Sequence, residues 1–250
     1  NHTLSKGSRK NQSINHITSY AGDAFPVVGR TVYNYVNNGL FPDVKRIDLP
    51  KAVRYSKRKK EKTRRVEENR EIYKGRTYAD YAIRVNEDPS VPTVQMDTVE
   101  GPKGGSGVCL LTLEFPVSKL QLAFRLEAKT SGNVIACFRE MREILGEETF
   151  GKLFKLILTD RGSEFSDPGS IEDLTGGEVF FCKARHAEQK GACEKNHVEI
   201  RKVIPKGKDM SPYSQEQIQQ KMMSHINSYS RPADANKTAY EMFCFYYENG

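Results

Sequence analysis

At 250 residues, with a formal net charge of +7 and a pI near 9.0, the chain has room for one large or two smaller domains and favours polyanionic partners. No run approaches 18 apolar residues and no signal peptide opens the chain, so nucleic acid is a better expected partner than a membrane surface. Cys109, Cys137, Cys182, Cys193 and Cys244 lack any paired spacing, which argues against zinc or a disulfide framework and for buried thiols in a cytosolic protein.

The charge is uneven. Residues 1–91 carry 19 Lys and Arg against 10 Asp and Glu, a net of +9, whereas residues 92–250 carry 20 against 22, a net of −2. The front end is therefore the expected polyanion-binding part and the back end a nearly neutral globular domain. Opening at Asn1 and stopping just after Tyr247, the chain reads as a fragment cut at both ends.

Residues 12–41 read as two short helices. The first carries Ile14, Ile17 and Tyr20 and breaks at Gly22-Asp23. The second runs from about Arg30 to Asn38, with Val32, Tyr35 and Val36 as its stripe and Gly39 past its end. Val28-Gly29 is a poor cap for it. This outline fits a helix-turn-helix reader with Arg30, Thr31 and Asn34 facing the major groove, and it equally fits a helical hairpin with no base contact. Residues 45–65 then hold eleven Lys or Arg and two acids. Pro50 and Val53-Arg54-Tyr55 suggest an extended piece, and Lys57, Arg58, Lys59 and Lys60 lead into a charged helix reaching about Tyr73. Such a density favours phosphate neutralisation over a solvated surface, giving affinity rather than sequence choice.

From Thr93 the texture changes to strands, over 93–100, 108–115 and 119–126. The glycine-rich connection 101–107 lacks phosphate-loop spacing and reads as a hairpin link. Thr130 caps a helix striped by Val134, Ile135, Phe138, Met141 and Leu145 and ended by Gly146. A buried strand, 155–159, ends on Asp160 and breaks into a glycine turn, placing an acid at the C-terminal edge of the sheet. A short polar stretch leads to strand 178–182. Further on, a helix from about Glu194 to Ile204 sets Glu194, His197 and Arg201 on one face, and Ser214–Tyr229 carries an apolar helical stripe. The expected class is a mixed α/β layer. Asp97, Asp160 and Glu194, from two strands and a helix, suit a pair of hard divalent cations. His197 is a candidate to orient a water or a phosphate; His186 and His225 read as structural or surface groups, and Glu164 and Glu100 as surface or helix-start residues.

Four strings then carry a family resemblance. Met96-Asp97-Thr98-Val99-Glu100-Gly101, the run Leu158 to Phe165, Gln189-Lys190-Gly191 with Glu194-Lys195-Asn196-His197, and Pro205-Lys206-Gly207 with His225 to Tyr229 stand in order. The chain from about Gln12 to Phe243 resembles the DDE transposases of the bacterial insertion-sequence-thirty family, with 63 positions from Asp97 to Asp160 and 34 from there to Glu194. Three features depart from that pattern: Arg161 stands for a common Asn, Ala239 for a usual Pro, and a first helix-turn-helix is missing.

The resemblance implies an RNase H-like, retroviral-integrase-type catalytic core at 89–250, preceded by a partial helix-turn-helix region at 1–44 and a basic linker at 45–88. It implies a triad of Asp97, Asp160 and Glu194 holding two Mg²⁺ ions, with Mn²⁺ as a substitute, for DNA strand cleavage and transfer to a 3′-hydroxyl. Asp97 would bridge both ions. Implied partners are double-stranded DNA (element ends and target) and further copies of the chain, in the bacterial cytoplasm. Expected DNA contacts are Arg30, Thr31, Asn34, Lys57, Arg58, Lys59, Lys60, Lys190, Lys195 and Arg201. A phage- or retroelement-type integrase or nuclease on the same fold, or a decayed DNA-binding repressor, are the alternatives.

Overall fold

The computed structural model describes residues 4, 6, 7, 12–21, 27–45, 48, 49, 71–183, 189 and 191–247, without the side chains of 21, 191–196 and 221. The basic arm with Lys57, Arg58, Lys59 and Lys60, and Lys190 beyond it, lie outside the described residues.

At the front, α1 (Ile14–Ala21) and α2 (Gly29–Asn37) form the expected pair around a small core of Ile14, Ile17, Val32, Val36 and Val44. Tyr20 and Tyr35 leave the predicted stripes for the surface, where each ring lies beside a neighbour, Tyr20 against His16 and Tyr35 against Phe41. Their hydroxyls would have no reason to enter so small a core. Val28 gives α2 no side-chain cap, as the sequence foretells.

The larger unit begins with α3 (Tyr78–Glu87), opened by a capping box in which Thr77 accepts from Asp80 N–H while Asp80 accepts from Thr77 N–H. A meander follows: β1 (Thr93–Glu100), β2 (Cys109–Phe115) and β3 (Leu120–Leu126), within one residue of the predicted strands. Then come α4 (Ser131–Leu145), α5 (Glu147–Leu153), β4 (Leu156–Thr159), α6 (Pro168–Thr175) and β5 (Glu178–Phe181). Thr130 caps α4 as expected, accepting from Asn133 N–H. The stretch read as merely polar before β5 holds α6, whose signal was Asp167 as cap with Pro168 at the first helical position. After β5 come α7 (Gly191–Val203), a helical run at 215–227 called α8 whose middle, Ile218–Met223, is π-helical, and α9 (Ala239–Tyr247).

The sheet order is β3-β2-β1-β4-β5, antiparallel through the meander and parallel where β4 joins β1 and β5 joins β4. A hairpin suffices for the first connections; the parallel returns need the crossovers that α4–α5 and α6 supply. Helices cover both faces, and the layer is mixed α/β as expected. Against one face α4, α5, α6 and α9 pack a core of Val94, Met96, Leu111, Leu113, Phe138, Phe150, Phe154 and Ile157. Gly177 permits the tightest approach in this unit, since a Cβ there would fall 2.0 Å from Phe154 O. The β3 edge is covered by side chains of α8: Asn227 pairs with both backbone groups of Gln121, and Gln215 bonds Arg125 N–H and Ala123 O.

Candidate active site

The opposite face of the sheet is divided. Leu156, Leu158, Phe180 and Cys182 pack beneath α3 at one end. Val99, Leu110 and Ala123 pack beneath α7 and α8 at the other. Between the two clusters runs a polar seam.

Asp97 and Asp160 belong to that seam. β1 and β4 are paired in parallel up to Gln95 and Leu158, and the same register carried two residues on sets Asp97 beside Asp160. Thr159 Oγ1 donates to Met96 O at 3.1 Å, so the two strands stay together to this point. Residues two apart on a strand share a face, and neighbouring strands lie about 4.8 Å apart, so both acids project to the same side of the sheet at one level. Both are half-buried. Each is anchored by a backbone amide: Asp97 Oδ1 accepts from Thr98 N–H at 2.7 Å, and Asp160 Oδ1 from Gly162 N–H at 2.9 Å.

The third predicted acid, Glu194, lies in α7, but its side chain is outside the described residues, as is that of Lys195. What α7 does bring to the site is His197. Its Nε2 lies 3.1 Å from Oγ1 of Thr112, the β2 residue directly opposite Asp97. The Thr112 hydroxyl proton is committed to Asp97 O at 3.1 Å, so the His197 contact requires Nε2–H to donate. His197, Ile200 and Ile204 thus form the face of α7 that meets β1 and β2, the two isoleucines being fully buried.

Arg201 leaves this row for the end of β1, donating to Glu100 O at 2.9 Å, and burial lowers its pKa. Arg161 stacks over Tyr73, 4.6 Å from the ring centroid. On α2, Arg30 and Asn34 share an exposed face with Thr31 half-buried beside them. His225 contacts Tyr229, whose hydroxyl lies 2.7 Å from its Nε2.

Glu164 overturns its surface reading. It is 1% exposed, on the far side of the sheet from the two acids, with Oε1 accepting from Thr98 Oγ1 at 2.7 Å and lying 3.2 Å from Lys129 Nζ. Its signal was faint: a short 3-10 turn, Ser163–Phe165, folds it inward beside Phe165. Burial works against the Lys129 charge, but Glu100 and Glu164 outweigh it and raise its pKa. The nearby Cys109 thiol is pushed up to about 11 by burial and then by Glu164, and burial pushes Cys137 to about 12, so both are inert free thiols.

The donor set suits a hard divalent cation: two carboxylates, held on adjacent strands by their own backbone amides, facing one side. Among the described residues no cluster of three or more His, Cys, Asp or Glu gathers into a metal site. No helix among them is long and apolar enough to cross a membrane.

The relatives found by comparison with known proteins carry the names of mobile-element proteins. The chain is similar to a protein described as an integrase, ORF3, of Spiroplasma virus SpV1-R8A2 B, 30% identical over 220 residues covering 88% of this chain and 64% of that one. It is similar to a transposase assigned to the insertion-like sequence element IS1161 of Streptococcus salivarius, 26% identical over 88% of this chain and 60% of that one. A transposase of insertion sequence element IS1086 from Cupriavidus metallidurans is 28% identical over 49% of this chain and 34% of its own length. The chain therefore spans about three-fifths of the length of the first two relatives. No family model matches. Among solved structures, the catalytic core domain of BIV integrase aligns with 64% of this chain and 97% of that domain, at a TM-score of 0.47 and 14% identity.

Proposed function

We propose that the chain is the DNA-cutting and DNA-joining part of a transposase of the insertion-sequence-thirty type, with Asp97, Asp160 and Glu194 as its acidic triad. The observation that carries the reading is the register of β1 with β4, which carried two residues past Gln95 and Leu158 sets Asp97 and Asp160 on one face of adjacent parallel strands. The names of the relatives, transposase and integrase of mobile elements, support it. Glu194 stands three positions before His197, one helical turn away on the helix that meets β1 and β2 opposite Asp97.

Asp97, Asp160 and Glu194 would hold two Mg²⁺ ions, which supply activation of the attacking oxygen and stabilisation of the leaving one. The residues themselves do three things. The backbone amides of Thr98 and Gly162 fix the carboxylates of Asp97 and Asp160. His197 ties α7 to β2 through Thr112 and so sets the height of the helix over the sheet. The helix pair at the front, through Arg30, Thr31 and Asn34, and the basic arm hold double-stranded DNA. Lys190, Lys195 and Arg201 are further DNA contacts in this reading, and copies of the chain assemble on the DNA.

The test is a cleavage and joining assay on DNA carrying the element ends, run with Mg²⁺ and with Mn²⁺. Asp160→Asn is expected to lose on the order of a thousandfold in rate. Undiminished cleavage by that variant would end the assignment. Cleavage without joining to a 3′-hydroxyl would make the protein a nuclease on the same fold. For the arm, replacing Lys57, Arg58, Lys59 and Lys60 together should lower the log–log salt slope of DNA binding by up to about four units, roughly 0.9 per lost phosphate contact. An unchanged slope would reduce the arm to a linker.

A further inference from the structure

We propose that Glu164 is the positioning residue that braces the Asp97 and Asp160 segments from beneath the sheet and so sets the separation of their carboxylates. This rests on reading that pair as a site for divalent cations. The backbone pairing of β1 with β4 ends at Gln95 and Leu158, and past it the Thr159 hydroxyl on Met96 O still links the strands, so further support at this level bears directly on the spacing of the two acids. Glu164 reaches both segments at once. Towards β1, its Oε1 takes the Thr98 hydroxyl at 2.7 Å, and Thr98 N–H is the group that bonds Asp97 Oδ1. Towards β4, its carboxylate fills the space under Gly162, where a Cβ would fall 2.5 Å from Oε2, and Gly162 N–H is the group that bonds Asp160 Oδ1.

Gly162 has an ordinary backbone, φ −66°, so its lack of a side chain serves this close approach and not a left-handed turn. The two amides that orient the two acids are thus carried by residues seated on one buried carboxylate. Lys129, paired with Glu164 at 3.2 Å and also with Glu100, supplies the counter-charge that lets a carboxylate stand 1% exposed. Such a buried, paired acid is costly to keep for packing alone. A brace of this kind acts on cation binding through its neighbours, without touching the ion.

The experiment is Mn²⁺ titration by calorimetry of the 250-residue chain, with thermal unfolding of each apo variant measured alongside. The variants are Asp160→Asn, Glu164→Ala, Thr98→Val and Thr98→Ser. Glu164→Ala should weaken Mn²⁺ binding by about 10- to 100-fold, the usual effect of losing an outer support, and Thr98→Val by about tenfold. Thr98→Ser, which keeps the hydroxyl, should restore the wild-type affinity. Thr98→Val is nearly isosteric and decides the matter if Glu164→Ala fails to fold. If Asp160→Asn weakens Mn²⁺ binding while folded Glu164→Ala or Thr98→Val binds as wild type, the brace is refuted and the cation site stands. If wild type and Asp160→Asn are alike, both fall together.

Discussion

Along one face of the sheet, Val179, Ile157, Val94, Met96, Leu111 and Leu113 join a single apolar core with α4, α5, α6 and α9. Along the other, apolar residues fall into two separate clusters, and the strip between them carries Gln95, Asp97, Thr112, Glu114 and Asp160. One face is closed and supplies stability; the other is interrupted where chemistry can be housed. A buried polar strip costs stability unless each group is bonded, so it persists where neighbours support it. Thr112, which serves both Asp97 O and His197, is such a neighbour.

The largest effect expected from this contrast is on the closed face. Phe138 is fully buried and packs against Phe150 and Phe154, with ring centroids 6.2 and 5.4 Å away. Phe138→Ala should cost about 3–5 kcal/mol by loss of burial and by cavity formation. Chemical denaturation would measure it. Asp160→Asn, in contrast, should move the unfolding midpoint little while removing activity. Equal destabilisation by both would abolish the division of labour between the faces.

Next in size is the seam itself. Thr112 is fully buried, and Thr112→Val keeps its shape while stranding the His197 donor. The expected cost is about 1–3 kcal/mol, from the lost bonds to His197 and to Asp97 O, with Thr112→Ser close to wild type. A Val variant as stable as wild type would mean that α7 is held by Ile200 and Ile204 alone.

These contrasts also mark what the sequence made legible. Strands alternate, so β1, β2 and β3 stood out to within a residue, and Asp97 and Asp160 were visible as acids breaking apolar runs. Capped helices with long stripes, such as α4, were equally plain. Short helices were not: α3, α5 and α6 span 10, 7 and 8 residues, too few turns for a period to declare itself, although the Thr77–Asp80 box marked the first. Nor was Glu164 legible, because its burial depends on Thr98 and Lys129, 66 and 35 positions away, and local pattern carries no such information. The basic arm and the Glu194 side chain lie outside the described residues, so their expected roles rest on charge and spacing.

The smallest effect lies where the front end meets the polar side of the core. His16 on α1 is 8% exposed, lies between the rings of Tyr20 and Tyr229, and accepts Ser230 N–H at Nδ1, 3.2 Å away. Burial, and then the nearby His225, lower its pKa from 6.5, so the folded protein prefers the neutral ring. The unfolded chain then binds the extra proton more readily. Stability from the neutral ring is complete above about pH 6.5 and is lost as pH falls from there through the lowered folded value. Protonating Nδ1 also removes the acceptor for Ser230. The front helices should therefore loosen from the core on mild acidification while the sheet stays intact. Limited proteolysis against pH, with His16→Phe as the insensitive control, would register the change. Cleavage that rises equally in the variant would assign the effect to some other group, with His225 and Tyr229, 2.7 Å apart on the same surface, the next to test.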